Sequence, residues 1–176
     1  SLTNALPTAA TKGDSGGKNR DSKVPTDPAS PNAFLIWDFN AGNKNYLDGF
    51  LNQFERAPSS AACSYVQDAR RGNRVLKVIA SKKADGYCGY WMQIVDFKAT
   101  TKTYVDITPY KYFTFMVRGA KGREDFTIQS ADKVWTIKED SVPIGEVEKY
   151  LKKGITTNWQ EVVIPIEEFT GVEKSE

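Results

Sequence analysis

The chain has 176 residues, with 24 Lys and Arg against 22 Asp and Glu, and a formal net charge of +2. This length suits one domain with a tail, and the near balance of charge argues against a nucleic-acid binder, which usually carries a clustered basic face. There is no histidine, so the usual general base at neutral pH, the nucleophile pairs that depend on it and the commonest transition-metal ligand are all excluded. Carboxylate-based catalysis survives this exclusion, so an enzyme is disfavoured without being eliminated.

No apolar run approaches the ~20 residues that a membrane-spanning helix needs, so no transmembrane segment is predicted. Residues 70–74 form a short basic cluster around Gly72. We interpret it as a solvated turn between two strands, because an isolated run of this length is no basic face.

Residues 1–32 are rich in Ser, Thr, Pro, Gly, Asn, Asp and Lys and offer little to bury. Such a segment cannot offset the entropy lost on ordering, which predicts a flexible linker or stalk followed by a module at 33–176. An ordinary disordered end fits the same residues equally well. The first residues are Ser-Leu and not Met, as expected for a processed or trimmed form.

Short runs of β-branched and aromatic residues follow, separated by Gly, Asn, Asp or Lys. Predicted strands cover 34–39, 50–54, 63–67, 74–80, 89–97, 111–118, 125–130, 134–138 and 161–166. Many short strands with turn residues between them predict an all-β fold, specifically a two-sheet sandwich.

One short helix is predicted within residues 143–153. Ser141 can cap it, Pro143 suits a first turn, and Ile144, Val147 and Leu151 then fall on one face. Gly154 follows as the stop signal.

Alternation assigns the strand residues to two faces. In 111–118 the apolar set is Phe113, Phe115 and Val117, which predicts that Arg118 lies on the outer face. In 125–130, Phe126 and Ile128 point inward and Gln129 outward. In 89–97, Trp91 and Gln93 alternate with Tyr90, and we place the former pair outward; the opposite assignment, with Trp91 in the core, stays open.

If these three strands share a sheet, one surface gathers aromatic, amide and guanidinium groups. A sugar needs such a surface, because its C–H faces pack on rings while its hydroxyls need fixed polar partners. Tyr87 and Trp91 would form the ring platform, Asp132 and Trp135 a rim. The candidate ligand-binding residues are Tyr87, Trp91, Gln93, Arg118, Gln129, Asp132 and Trp135.

Oxygen-bearing side chains cluster in the loop after residue 37. Asp38, Asn40, Asn43 and Asp48 offer hard ligands for a structural calcium ion, although the spacing is not that of a helix-loop-helix calcium site. Asp and Asn also make turns by bonding their own backbone, so this alternative stays open.

Another acidic set contains potential catalytic carboxylates, whose spacing equally fits a solvated rim. It comprises Glu124, Asp125, Asp132, Glu139 and Asp140.

Cys63 and Cys88 lie in separate predicted strands. A disulfide between neighbouring strands and two independent buried thiols are both compatible with the sequence. Two cysteines alone cannot make a structural zinc site.

Three segments together resemble a known class of module: 37–40, 105–119 and 159–169. Segment 37–40 is similar to an Asp-Phe-Glu opening. Segment 105–119 is similar to an Asp-hydrophobic-Ser-x-Tyr lead-in to a strand that ends in Val-Arg-Gly. Segment 159–169 is similar to a Trp-x-x-Val-x-Ile-Pro-Leu-x-x-Phe signature. The chain resembles galactose-binding-type jelly rolls, especially family 11 carbohydrate-binding modules and complex I intermediate-associated domains.

This resemblance implies a jelly-roll sandwich that binds a polysaccharide or other glycan, without catalysis, in a secreted, periplasmic or cell-surface protein. Asn40 stands where the family usually has Glu, which weakens an inferred calcium site. The helix within 143–153 would be an insertion, and members usually continue past the equivalent of Phe169, so the module would lack its last strand or strands. The resulting open edge suggests an alternative, a structural or assembly protein that binds a protein partner. A carboxylate-based glycan-active enzyme is the lesser alternative.

Overall fold

A computed structural model describes residues 2–8, 10–11, 26–27, 30–40, 42–96, 104–132 and 141–174. These residues form twelve strands and two single-turn 3-10 helices, at Val147–Lys149 and Ile166–Glu168. The strands are β1 (Leu2–Thr8), β2 (Ala10–Thr11), β3 (Thr26–Asp27), β4 (Ser30–Phe34), β5 (Leu51–Arg56), β6 (Ser60–Asp68), β7 (Asn73–Ser81), β8 (Tyr87–Met92), β9 (Tyr112–Gly119), β10 (Thr127–Ser130), β11 (Val142–Glu146) and β12 (Gln160–Pro165).

The largest sheet has the order β12-β9-β1-β7-β6, and all neighbouring strands in it run antiparallel. A tight turn joins β6 to β7, and Gly72 adopts a φ of 71° there, in the left-handed region that favours glycine. The carboxylate of Asp68 accepts the backbone N–H groups of Arg70 and Arg71 at 2.9 and 3.0 Å, which closes this turn. The prediction of a turn at the basic cluster is therefore confirmed.

Two strand pairs pack against this sheet through separate buried clusters. The pair β5–β8 places Leu51, Tyr90 and Met92 against a cluster that contains Leu76 and Val78 of β7. The pair β10–β11 places Phe126, Ile128 and Ile144 against a cluster that contains Val117, Val162 and Ile164. Layers that bury their apolar faces against each other form an all-β sandwich, as predicted.

The inward assignments in β9 and β10 are confirmed, since Phe113, Phe115 and Val117 all pack into the buried clusters. On the opposite face of β9, Tyr112 is 39% exposed but Thr114 only 7%. The segment 34–39 is different from its prediction: only Phe34 belongs to a strand, although Trp37 and Phe39 are almost fully buried. Its apolar character therefore reflects burial and not strand pairing.

The short helix predicted within residues 143–153 is present only as a single 3-10 turn. Residues Val142–Glu146 form β11, which pairs with β10, and only Val147–Lys149 make a helical turn. Gly145 lies inside the segment and would destabilise a helix by about 1 kcal/mol relative to Ala. Pairing of β11 with β10 instead gives the backbone groups of both strands hydrogen-bond partners. Ile144, Val147 and Leu151 still reach the same cluster, so the apolar pattern identified the buried residues but not the backbone conformation.

The N-terminal segment was predicted to be a linker, and its described pieces differ from that prediction. Leu2–Thr8 forms β1, which pairs with β7 on one side and β9 on the other, and three further short strands form a small sheet in the order β2-β4-β3. Pairing gives the backbone groups of β1 partners on both sides, which a composition-based argument cannot detect. The predicted strand at 134–138 lies outside the described residues.

Candidate functional site

The outer surface of the β5–β8 pair carries exposed aromatic rings. Tyr90 and Met92 of β8 pack inward, so alternation turns Tyr87 and Trp91 outward. Tyr87 is 52% exposed and Trp91 36% exposed. The structure therefore confirms the outward orientation expected for these two side chains and contradicts the alternative with Trp91 in the core.

Strand β5 adds a third ring that the sequence argument missed. Its outward residues Asn52, Phe54 and Arg56 lie opposite Trp91, Gly89 and Tyr87, respectively. Phe54 is 41% exposed. The signal was available in the sequence, because alternation in Leu51–Arg56 sends Leu51 to the core and Phe54 to the other face. We call the outward side chains of this strand pair the aromatic face; its members are Asn52, Phe54, Arg56, Tyr87 and Trp91.

Ring contacts fix the geometry of the aromatic face. The rings of Phe54 and Tyr87 have centroids 6.0 Å apart with planes inclined at 50°, and Trp91 meets Phe50 edge-on at 5.3 Å and 67°. Phe54 lies over Gly89, where a side chain would collide with it. Because a strand rises about 3.4 Å per residue, Tyr87 and Trp91 are separated by roughly 14 Å along β8. The face is therefore an elongated row of rings.

Gln93 lies just past the end of β8, beside Trp91. It is half-buried, and its enclosed side-chain oxygen has no hydrogen-bond partner among the residues that the structure describes. Its backbone oxygen accepts a hydrogen bond from the Asn45 side chain at 2.9 Å, and the same amide reaches the oxygen of Ile94. Asn45 thus fixes the segment that follows the aromatic face.

Arg118 and Gln129 do not join Trp91, and the assumption that their strands share a sheet is wrong. Strand β8 pairs with β5, β9 lies in the five-stranded sheet, and β10 pairs with β11. Alternation gives the face of each strand but not its neighbours, so it could not detect this separation. Gln129 instead accepts a hydrogen bond from the hydroxyl of Ser141.

Of the two predicted rim residues, the structure describes Asp132, which is held away from the strand pair of the aromatic face. Asp132 accepts the backbone N–H of Glu173 at 2.8 Å, which ties it to the C-terminal segment. Trp135 lies outside the described residues, so its predicted role has no structural test.

Arg118 belongs to a charged cluster on the five-stranded sheet. Its guanidinium donates to Asp68 at 2.8 Å, and that carboxylate is only 4% exposed. The indole of Trp159 donates to the same carboxylate, and the guanidinium groups of Arg71 and Arg118 lie 5.4 and 5.3 Å from its ring centre. Burial alone would raise the pKa of Asp68, but hydrogen bonds from Arg118, the Arg71 backbone and Trp159 outweigh it and hold the pKa below its ordinary value. This cluster joins the β6–β7 turn to β9 and the start of β12.

The loop proposed for calcium is held by its own hydrogen bonds. Asp38 accepts the backbone N–H of Asn40 at 2.9 Å, and Asp48 is exposed and pairs with Lys44 at 3.9 Å. Burial raises the pKa of Tyr46 to about 12, with contributions from a hydrogen bond to Asp38 and from its charge. Within the described part of the chain, no three His, Cys, Asp or Glu side chains form a group that could hold a metal. Calcium at Asp38, Asn40 and Asp48 therefore stays a prediction.

The two cysteines are free thiols, so of the two alternatives compatible with the sequence the structure has independent thiols and not a disulfide. Cys63 lies on β6 and packs against the cluster around Leu76. Cys88 lies on β8, which pairs with β5 and not with β6. Burial raises the pKa of the Cys63 thiol.

Two of the candidate catalytic carboxylates, Glu124 and Asp132, already accept backbone hydrogen bonds. Glu124 accepts the backbone N–H of Lys121 at 2.8 Å. Burial would raise its pKa, but backbone hydrogen bonds from Lys121, Glu124 and Ala120 outweigh this effect and lower the pKa below the ordinary value. A general acid in glycoside hydrolysis needs a raised pKa, which Glu124 does not have. Glu139 and Asp140 lie outside the described residues.

None of the helices formed by the described residues has the length and apolar character needed to span a bilayer. Comparison with curated proteins found no match, and neither did comparison with solved structures. A comparison with family models did find one: residues 40–175 match the model described as carbohydrate binding domain 30. The match supports the carbohydrate-binding class inferred from the sequence, through family 30 and not through family 11. Because the matched segment covers most of the chain and includes the whole aromatic face, the protein belongs to the family of carbohydrate binding domain 30.

Proposed function

We propose that this carbohydrate-binding domain is a non-catalytic module that docks a polysaccharide chain on the aromatic face. The observation that carries the proposal is the exposure of Phe54, Tyr87 and Trp91 in one row on one strand pair. Exposed rings that cluster on one surface mark interaction sites, and pyranose C–H faces pack well on such rings. Asn52 and Arg56 alternate with the rings and supply hydrogen-bond partners for sugar hydroxyls.

The expected affinity is modest. A stacked ring contributes on the order of 1 kcal/mol beyond area burial, which corresponds to roughly a five-fold change in affinity. Several rings together give a reversible complex whose strength grows with the length of chain that they engage. This suits a targeting module better than an enzyme that must hold a single bond in place.

Titration calorimetry against soluble glucans, xylans and mannans tests the proposal. Trp91→Ala and Tyr87→Ala should each weaken binding by about five-fold. Tyr112→Ala is the matched control, since Tyr112 is a comparably exposed ring on the five-stranded sheet. If none of these polysaccharides releases heat, or if Tyr112→Ala weakens binding as much as Tyr87→Ala, the aromatic face is not the docking site.

An assembly role through the sheet edge is the second candidate. Among the described residues β12 pairs only with β9, and Val163 on its outer face is 39% exposed next to the similarly exposed Tyr112. An unpaired strand edge with apolar side chains can add a strand from another protein. Size-exclusion chromatography with light scattering separates the candidates, because a strict monomer that binds glycan contradicts self-assembly.

Three finer points belong to the same proposal. We propose that the domain is also related to the galactose-binding-type jelly rolls of family 11, on the basis of the segments at 37–40, 105–119 and 159–169. Export to the periplasm, cell surface or medium follows from the use of such modules on extracellular glycans, and fractionation of the source cells tests it. Calcium would stabilise the loop at Asp38 and Asp48, so a chelator should lower the melting temperature if the ion is bound.

A further inference from the structure

A cleft of about 280 Å³ opens between β5 and the five-stranded sheet. Its lining comes from both layers of the sandwich and from the loop before β5. The lining residues are Asn43, Phe50, Leu51, Gln53, Cys63, Tyr65 and Leu76. The cleft lies on the opposite side of β5 from the aromatic face, because Leu51 and Gln53 alternate with Asn52 and Phe54.

The cleft has apolar walls and a polar mouth. Phe50 and Tyr65 contribute rings, and the almost fully buried Leu76 closes the apolar interior. Asn43 and Gln53 are exposed, so their amides lie where the cleft meets solvent. Rings beside amide donors and acceptors are the combination that a sugar requires, since its C–H faces pack on the rings and its hydroxyls bond to the amides.

Tyr65 is held in place before any ligand arrives. Its ring contacts those of Trp37 and Phe39, at 6.1 and 6.0 Å, and the Arg74 guanidinium lies 5.0 Å from its centre. A wall that is already fixed loses little conformational entropy when a ligand binds.

The size of the cleft restricts its occupant. A volume of about 280 Å³ lies below the usual range of ~300–1,000 Å³ for sites that enclose drug-sized molecules. It suits a single sugar ring better than an oligosaccharide. Phe50 lines the cleft and also contacts Trp91, so a single ring adjoins both the cleft and the aromatic face.

We propose that the cleft binds the terminal sugar unit of a glycan chain whose following units lie on the aromatic face. The domain would then recognise chain ends in addition to chain interiors. This inference rests on the proposed function, since it uses the same ligand and adds one subsite to it.

Cys63 supplies a reporter, because its thiol lines the cleft, and Cys88 is a matched internal control that does not line it. The wild-type chain is treated with N-ethylmaleimide at mildly alkaline pH, with and without saturating cello-, xylo- and manno-oligosaccharides. Peptide mass spectrometry then gives the alkylation rate of each cysteine separately, and calorimetry on the same samples reports overall binding.

We expect the oligosaccharide that binds to slow the alkylation of Cys63 at least five-fold and to leave Cys88 unchanged. Gln53→Ala should remove most of this protection, whereas Gln67→Ala, an exposed amide on β6 outside the cleft, should not. Binding heat without protection of Cys63 would overturn the cleft proposal and leave the proposed function standing. No binding heat with any of the three sugar series would overturn the cleft proposal and the proposed function together. Equal protection of Cys63 and Cys88 would indicate a general tightening of the domain and would contradict occupation of the cleft.

Discussion

The ring of Phe54 lies so close over Gly89 that a Cβ at position 89 would come within 2.8 Å of the ring edge. Gly89 leaves a space on β8 that the Phe54 ring from β5 occupies. This ring completes the row between Tyr87 and Trp91. The aromatic face therefore depends on a glycine as much as on its rings.

Gly89→Ala should weaken glycan binding by about five-fold, because the new methyl group displaces Phe54 from the row. The cost in folding stability should stay below ~1 kcal/mol, since the colliding atoms are the far end of a side chain that can rotate. Calorimetry and urea unfolding measure the two effects. Ala62→Ser, at an exposed position of β6, is the control; unchanged affinity in Gly89→Ala would mean that the position of Phe54 does not matter for binding.

Asp68→Ala should destabilise the fold by about 3 kcal/mol, because it leaves the half-buried guanidinium of Arg118 without its partner. Asp48→Ala removes a carboxylate from an exposed pair with Lys44 and should cost less than ~0.5 kcal/mol. Urea unfolding of both variants measures the difference. Equal losses would show that the Asp68–Arg118 pair contributes no more than a surface pair.

The same carboxylate should make stability depend on pH. Its pKa is lower in the folded chain than the ordinary value of ~3.9, so its stabilising contribution is fully present above that value and is lost as pH falls through the folded-state pKa. The stability difference between the wild type and Asp68→Asn should therefore be constant from neutral pH to about pH 5 and shrink below about pH 4. Unfolding curves across this range check it, and a gap that widens on acidification would contradict the assignment.

Proline substitution tests whether Leu2–Thr8 is a strand or a linker. Thr3→Pro removes an N–H donor inside β1, between Lys77 of β7 and Arg118 of β9. A central strand should not tolerate this change, so we expect a loss of at least ~2 kcal/mol in unfolding free energy. Thr3→Val, which keeps the donor and suits a strand, is the control. Unaltered stability in Thr3→Pro would mean that these residues behave as the linker that composition predicts.

Local alternation was the most reliable signal in the sequence. It correctly placed Trp91, Phe115 and Ile128, because the face of a strand residue depends only on its parity and on which set is apolar. It failed for Arg118 as a neighbour of Trp91, because strand partners are set by long-range packing.

Composition and periodicity were weaker guides where backbone pairing decided the outcome. Residues 143–153 have helical spacing of Ile144, Val147 and Leu151, yet β10 supplied a ladder partner and Gly145 weakened the helix. Leu2–Thr8 has the composition of a tail, yet two flanking strands pair with it. Phe54 could have been identified from the pattern of β5 itself, had the alternation argument been extended to that strand.

The inclination of the rings has a further consequence. The ring planes of Phe54 and Tyr87 are inclined to each other by 50°, so the rings of the aromatic face do not lie in one plane. A two-stranded ribbon twists strongly, and rings mounted on it must turn with it. A flat crystalline fibre surface would contact only one ring at a time. A single dissolved polysaccharide chain can twist so that successive sugar units contact successive rings. We therefore expect this domain to capture loose, amorphous chains and to leave ordered microfibrils largely bare.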